Sequence, residues 1–279
     1  MAGEARNDGL GVPSVAPAWL APARAWSRRA PLVPRSPLMV DGHVVGSAEP
    51  RVLERVAGLL TGGHRLAGGE QGWHLQSADG DATAAMNALA RALREAGLSG
   101  PWRDEQLAVG RDGEDGMRIG TIERGVVRPL GIATQAVHLI GTAPDGRMWV
   151  QQRAFSKANN PGMWDTLMGG MVSAADSLAQ ALSRETWEEA GLRVEQLVGL
   201  RHGGHVDFAQ PAEEEDNAGY MRERIDWFAA TVPSHVVPVN QDGEVERFEL
   251  IPIAEVQERL ARAEFTPEAA LLLADHFGW

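Results

Sequence analysis

The sequence predicts an α/β protein in two parts, a smaller α+β domain followed by a larger α/β domain. Three observations carry this. At 279 residues the chain is long for one domain, since roughly 100–200 residues per domain is usual. Alternating apolar patterns of strand length are interleaved with 3.6-residue patterns of helix length, the mark of mixed α and β structure. The character of the chain also changes near residues 37 and 131, dividing it into an arm (1–37), an accessory domain (38–131) and a C-terminal domain (132–279).

The arm holds six of the 16 prolines and five arginines against Glu4 and Asp8. Proline fixes φ and removes a donor, so this density predicts an extended, partly disordered segment. The basic start and apolar stretch of a signal peptide are absent, and Glu4 and Asp8 speak against a transit peptide, so the expected location is the cytoplasm. In the accessory domain, residues 37–40, Asp41-Gly42 and 43–45 read as a hairpin with a turn that right-twisted strands favour. Residues 49–60 have helical periodicity and stop at Gly62-Gly63, and 73–76 read as a short strand. Residues 82–96 predict a helix with Met86, Leu89 and Leu93 on one stripe and Gly97 at its end. Strands at 105–109 and 117–122 flank an acidic, Gly-rich turn. No catalytic pattern falls here.

In the C-terminal domain, 133–140 and 148–153 read as a hairpin around Pro144-Asp145-Gly146, followed by a strand at 166–172 and a helix at 177–190. Strands at 195–207 and 221–232 flank a loop at 212–219, and a strand at 245–251 precedes two short helices.

Composition narrows the chemistry. The absence of cysteine excludes disulfides, thiolate metal sites and a cysteine nucleophile, leaving oxygen or imidazole as the ligands of any metal. No apolar run approaches the ~18 residues of a membrane helix, so no membrane partner is expected. A net charge of −12 disfavours binding to nucleic acid phosphates. Of 26 basic residues a single one is lysine, Lys157.

The chemistry concentrates between Gly169 and Leu192. Glu185, Glu188 and Glu189 stand at i, i+3 and i+4, so their carboxylates share one face of a helix. Crowded like charges are unfavourable, and a hard divalent cation reverses that sign. A solvated acidic face would lie opposite the apolar stripe. Instead Leu178, Ala181, Leu182 and Leu192 project close to the glutamates, which favours a metal-binding cleft. Trp187 projects to the opposite side with Gln180 and Ser183, so packing on more than one side is expected.

The spacing Gly170, five residues, Asp176, seven residues, Arg184-Glu185-x-x-Glu188-Glu189-x-Gly191-Leu192 resembles the signature of the Nudix hydrolases. Asp176 stands where the family usually has Glu, and Thr186 where it usually has an aliphatic residue. At the start of the helix Asp176 is a reasonable capping carboxylate. The segment from Phe155 through Lys157, Pro161-Gly162 and Trp164-Asp165, with 242–246, is similar to one subgroup that carries an extra N-terminal domain. Some fungal members of that subgroup are fused to thiamine pyrophosphokinase. Residues 38–46, 102–105 and 122–124 look like that extra domain.

The resemblance implies a Nudix α/β/α sandwich around a mixed sheet, preceded by a smaller α+β domain. It implies hydrolysis of a small-molecule diphosphate with Mg²⁺ or Mn²⁺ held by Glu185, Glu188 and Glu189, with Asp176, Arg184 and Gly191 as structural members of the motif. Within the subgroup the implied substrate is thiamine diphosphate or an altered relative, cut to the monophosphate and phosphate. Glu244, preferred over Glu246, is the candidate supplementary ligand or base. Lys157 is a candidate phosphate grip or equally a solvated loop lysine, Trp164 a candidate stacking platform for a planar ring or equally a core residue, and Gly169 and Gly170 permit close backbone approach. The run 213–216 reads as a solvated loop, and His138, His202 and His205 as polar core or surface residues. Rivals are a nucleotide-sugar or dinucleotide diphosphatase, a non-catalytic ligand-binding module, and an isoprenoid diphosphate isomerase, which the lack of cysteine disfavours. A homodimer is left open.

Overall fold

A computed structural model of the chain describes residues 15–111, 117–212 and 219–279. The Gly-rich turn at 112–116 and the acidic run 213–216 lie outside the described residues.

The arm corrects the sequence reading at once. Residues 20–26 form a helix, α1 (Leu20–Trp26), rather than an extended stretch. Pro22 falls in the first turn, where its missing N–H breaks no helical bond. The remaining residues place Trp19, Leu20, Ala23 and Trp26 on the hydrophobic core of the C-terminal half. Proline density masked that apolar spacing.

In the accessory part, β1 (Ser36–Val40) and β2 (His43–Ala48) form the predicted hairpin, with Asp41 and Gly42 both at positive φ (44° and 87°). That is the condition for the turn type which matches strand twist. The helix α2 (Pro50–Val56) is shorter than expected, ending before Gly58. The strand β3 (Arg65–Gly69), rich in glycine and with only Leu66 buried, was not foreseen. It pairs with β4 (Gly72–Gln76), giving a sheet of order β2-β1-β4-β3. The helix α3 (Ala82–Glu95) is capped by the Asp81 carboxylate, which accepts from the Ala84 N–H at 2.9 Å, and it buries Met86, Leu89 and Leu93. A separate antiparallel pair, β5 (Gln106–Gly110) and β6 (Arg118–Glu123), follows. These elements share one hydrophobic cluster running from Leu38 to Ile132.

The C-terminal part contains β7 (Ala133–Thr142), β8 (Met148–Arg153), β9 (Trp164–Asp165), β10 (Met168–Met171), α4 (Leu178–Ala190), β11 (Val198–Pro211), β12 (Tyr220–Thr231), β13 (Val245–Ile251), α5 (Ile253–Ala261) and α6 (Pro267–His276). The sheet runs β11-β12-β7-β8-β13, with β10 on β7 and β9 on β8. The β12–β7 pair is parallel and the others antiparallel, so the sheet is mixed. Its two faces are read from β7, because alternate side chains point to opposite sides. Ala136 and Ile140 enter the cluster made with α5 and α6. Val137 and Leu139 enter the one made with Ala181 and Leu182 of α4. Helices therefore cover both faces, the predicted α/β/α sandwich. Among the described residues no helix is long and apolar enough to cross a membrane.

The docked arm is tied down at several points. Arg24 donates to the Trp279 carbonyl at 2.7 Å, Trp19 meets the Trp279 ring edge-on, the Ala209 N–H donates to the Ser27 carbonyl at 2.9 Å, and Tyr220 donates to the Arg29 carbonyl at 2.9 Å. Leu20 is 1% exposed. Leu20→Ala is therefore expected to lower the stability of the whole chain by about 2–5 kcal/mol, read from urea unfolding. A loss below about 0.5 kcal/mol, the range of a surface substitution, would show that the arm contributes no core.

Candidate active site

The site is built on α4 and the strand before it. Ser177 caps the helix, accepting from the Gln180 N–H at 3.3 Å while the Gln180 side chain accepts from the Ser177 N–H at 2.8 Å. This reciprocal pair leaves Asp176 one position outside the cap, which corrects the capping role expected for it. Its carboxylate instead accepts from Arg184 Nε at 2.9 Å. At the other end Gly191 takes φ 63°, and a Cβ there would stand 2.6 Å from the Val239 carbonyl.

Glu189 turns inward and is 3% exposed. Its Oε2 accepts from the Gly169 N–H at 3.0 Å and from Gln151 Nε2 at 2.9 Å. Burial pushes its pKa up to about 8, against the pull of those two donors. Both donors are neutral, and among the described residues no cation pairs with this buried carboxylate. Burial also raises Glu185, the Arg184 guanidinium partly offsets this, and the fields of Glu188 and Glu105 add to the rise. Glu188 is half exposed.

Arg184 sits among these groups. Its Nη1 lies 2.8 Å from Glu185 and 3.0 Å from Glu188, and its Nη2 donates to the Met171 carbonyl at 3.3 Å. Burial lowers its proton affinity, but the surrounding carboxylates outweigh that and hold the charge. The glutamates are thus shared between two environments, Glu185 and Glu188 on Arg184 and Glu189 on Gly169. Among the described residues no three His, Asp or Glu groups are gathered as a metal cage. Repulsion between like charges gives the physical reason: each carboxylate takes the nearest donor instead.

The glycines are close-approach positions. A Cβ on Gly170 would fall on the Glu185 carboxylate, and one on Gly169 on the His138 ring. His138 is buried, its Nδ1 lies 2.9 Å from Thr166 Oγ1, and that hydroxyl donates to the Met168 carbonyl at 2.9 Å. The hydroxyl proton being committed, Nδ1 is the donor. Burial lowers the His138 pKa, which keeps the ring neutral. His202 lies 2.8 Å from Asp226, and His205 is partly exposed beside Asp207.

Lys157 and Glu244 pair with each other. Burial opposes it, but the Lys157 ammonium, with Arg124 and Arg153 further out, holds the Glu244 carboxyl below its usual range. Glu246 is exposed. Trp164 takes the core position of its two readings and not the stacking one. It is 7% exposed, belongs to the core cluster, and has the guanidiniums of Arg259 and Arg247 against its ring at 4.3 and 5.4 Å. No open face is left for a ligand. Trp187 is 47% exposed beside Arg193, so α4 does not pack on that side.

Sequence reasoning missed the wall that the accessory part adds. Arg118 donates to the Ala174 carbonyl at 2.8 Å, and the Ala174 N–H donates to the Gln106 carbonyl at 2.8 Å. Glu105, which adds to the field at Glu185, is paired with Arg124 at 2.7 Å. These residues stand far from α4 in sequence, and no local pattern ties them to it.

A family model for the NUDIX domain matches residues 133–273. The chain belongs to the Nudix family. It is similar to Nudix hydrolase 20, chloroplastic, of Arabidopsis thaliana, at 30% identity over 52% of this chain and 38% of that one. It is also similar to an uncharacterized protein of Saccharomyces cerevisiae, at 27% identity over 68% of this chain and 59% of that one. Each match spans less than two thirds of the relative. A crystal structure of a Deinococcus radiodurans protein aligns at 20% identity, with a TM-score of 0.45, over 58% of this chain and 92% of that one.

The Glu189 environment sets a pH dependence. Below its free-chain value of 4.5 the group is protonated folded or unfolded, and above about 8 it is ionised in both. Without metal, the folded state therefore loses stability as pH rises through that window, on the order of a few kcal/mol. Thermal melts in a chelator at pH 5 and 8.5 are expected to show a larger fall for the wild type than for Glu189→Gln. Parallel falls would refute the buried, uncompensated carboxylate.

Proposed function

We propose that the chain is a Mg²⁺- or Mn²⁺-dependent hydrolase of an organic diphosphate. The observation that carries this is the buried carboxylate of Glu189, held by neutral donors alone, on the helix face that also bears Glu185 and Glu188. The donor set is carboxylate oxygen, which suits a hard divalent cation, and the close packing of Gly170 on Glu185 leaves the backbone free of side chain beside it. Glu185, Glu188 and Glu189 would hold the cation, with Glu244 as a supplementary ligand or base. Bound there, it supplies charge neutralisation and Lewis acidity.

The chain's own residues do the rest. Arg184 positions the helix against the β10 loop and keeps Glu185 and Glu188 together. Lys157, paired with Glu244 in the free protein, turns to the phosphate as a point charge and so frees Glu244 to take a proton from attacking water. Water adds to phosphorus, the bridging P–O bond breaks, and phosphate leaves in line.

For the substrate, the resemblance of 155–165 and 242–246 to the subgroup supports thiamine diphosphate or an altered relative, cut to monophosphate and phosphate. The yeast relative's match, at 68% of this chain, is longer than the Nudix segment and supports assigning residues 38–131 to the subgroup's extra domain. A second reading, a nucleotide-sugar or dinucleotide diphosphatase, is favoured by Arg103, Arg124 and Arg128 lining the neighbouring cavity. Guanidiniums suit acceptor-rich groups better than the cationic ring of thiamine.

The test is release of phosphate or monophosphate from a panel of diphosphates with Mg²⁺. Chelation should abolish turnover, and Glu188→Gln or Glu189→Gln should each lower kcat by about 100-fold or more, in the range of electrostatic catalytic groups, with the fold intact by circular dichroism. Full activity in the double variant would refute the reading.

A further inference from the structure

A cavity of about 320 Å³ lies between the accessory part and the Nudix domain. Its lining includes Leu98, Pro101, Arg103 and Arg124 from the first and Asn159 and Met171 from the second. Two of these reach straight into the site already described. Met171 follows Gly170 and gives its carbonyl to Arg184. Asn159 lies in the loop that carries Lys157 and gives its carbonyl to Arg153 at 3.1 Å. Met171 directly follows the glycine pair in β10, so the cavity adjoins the strand on which a diphosphate would be held.

The lining is chemically uneven. Arg128 is engaged by Glu223 at 2.8 Å and Arg124 by Glu105 at 2.7 Å. Arg103 is exposed, and no interaction of its guanidinium is found among the described residues. Among the described residues, Arg103 is thus the arginine of the lining whose five donors have no partner, set among apolar Leu98, Pro101 and Met171. Its volume stands at the lower end of the roughly 300–1,000 Å³ of small-molecule sites, room for one or two rings.

We infer that the accessory part selects the substrate: this cavity receives the organic group attached to the diphosphate, an acceptor-rich neutral or anionic group of one or two rings, and Arg103 is its specificity-determining contact. The inference rests on the proposed diphosphate site, takes the nucleotide-type reading of the substrate over thiamine diphosphate, and adds the half of the substrate that the Nudix residues do not grip. Arg103 lies on the surface and Pro101 has no N–H to lose, so both positions accept replacement without unfolding the chain.

The test uses the full chain with Mg²⁺, comparing wild type with Arg103→Gln and Pro101→Phe. The substrates are ADP-ribose, thiamine diphosphate and methyl diphosphate, the last having almost nothing to place in the cavity. Arg103→Gln should raise KM for ADP-ribose about tenfold, the loss of one charge-assisted hydrogen bond. KM for the cationic thiamine diphosphate should stay level or fall. Pro101→Phe should raise KM for both, and methyl diphosphate should move less than about twofold with either variant. Equal shifts for all three substrates, or none, would overturn the cavity's role and leave the hydrolase reading standing. If no diphosphate is turned over, the hydrolase reading falls. Calorimetric binding of ADP-ribose to wild type and to Arg103→Gln then decides the cavity alone, selective loss in the variant supporting it and equal or absent binding overturning it.

Discussion

The position of one buried carboxylate constrains much of the C-terminal part. Glu189 is tied to β10 through the Gly169 N–H and to β8 through Gln151. Helix and sheet are therefore joined through a fully desolvated carboxyl. An unpaired carboxylate there would cost several kcal/mol, so both donors must be held in place. Gly169 can reach Glu189 only because it lacks a Cβ that would strike His138. His138 in turn is fixed as a neutral donor by Thr166, whose hydroxyl is spent on Met168. Each link leaves the next with one acceptable residue type.

The second link is Arg184, which holds together what Glu189 does not. By binding Asp176, Glu185, Glu188 and the Met171 carbonyl it closes the loop before α4 onto the helix itself. The same loop meets the accessory part through Ala174, bonded to both Gln106 and Arg118. Helix α4 is thus located from two sides, by the Nudix sheet beneath it and by β5 and β6 beside its entry. Met171 belongs to this junction too, packing against the hydrophobic cluster of the accessory part.

What was legible in the sequence was local. The Asp41-Gly42 turn, the α3 stripe and the α4 segment declare themselves within a few residues, because turn geometry and helical period are short-range properties. The carboxylate face of α4 was readable for the same reason. The docking of α1 was not, since its partners Trp279, Ala209 and Tyr220 come from the far end of the chain, and its prolines pointed to an open arm. The two readings of Trp164 are not separable locally, because a tryptophan beside a site looks alike whether its faces meet a ring or two arginines. The cap of α4 was missed by one residue: Asp176 and Ser177 are both capping residues by type, and only the reach of Arg184 decides between them.

The charge of the chain has to be read at the same short range. A net of −12 opposes an anionic partner at long distance, yet screening confines that field to about a Debye length of 10 Å at ordinary salt. Within that distance the signs are sorted. Carboxylates cluster along α4, and guanidiniums line the cavity beside it, most already committed to a neighbour. On the proposed reading, a diphosphate approaching this cleft would meet paired charges and, among the described residues, the one unpartnered guanidinium of Arg103, so its binding would depend on which pairs it can exchange. Lys157 and Arg184 are each held by carboxylates in the free protein. On that reading the acid excess would not by itself repel a diphosphate from the site. Lys157, released from Glu244, would be the cation such a ligand competes for, while Arg184 stays with the carboxylates of α4.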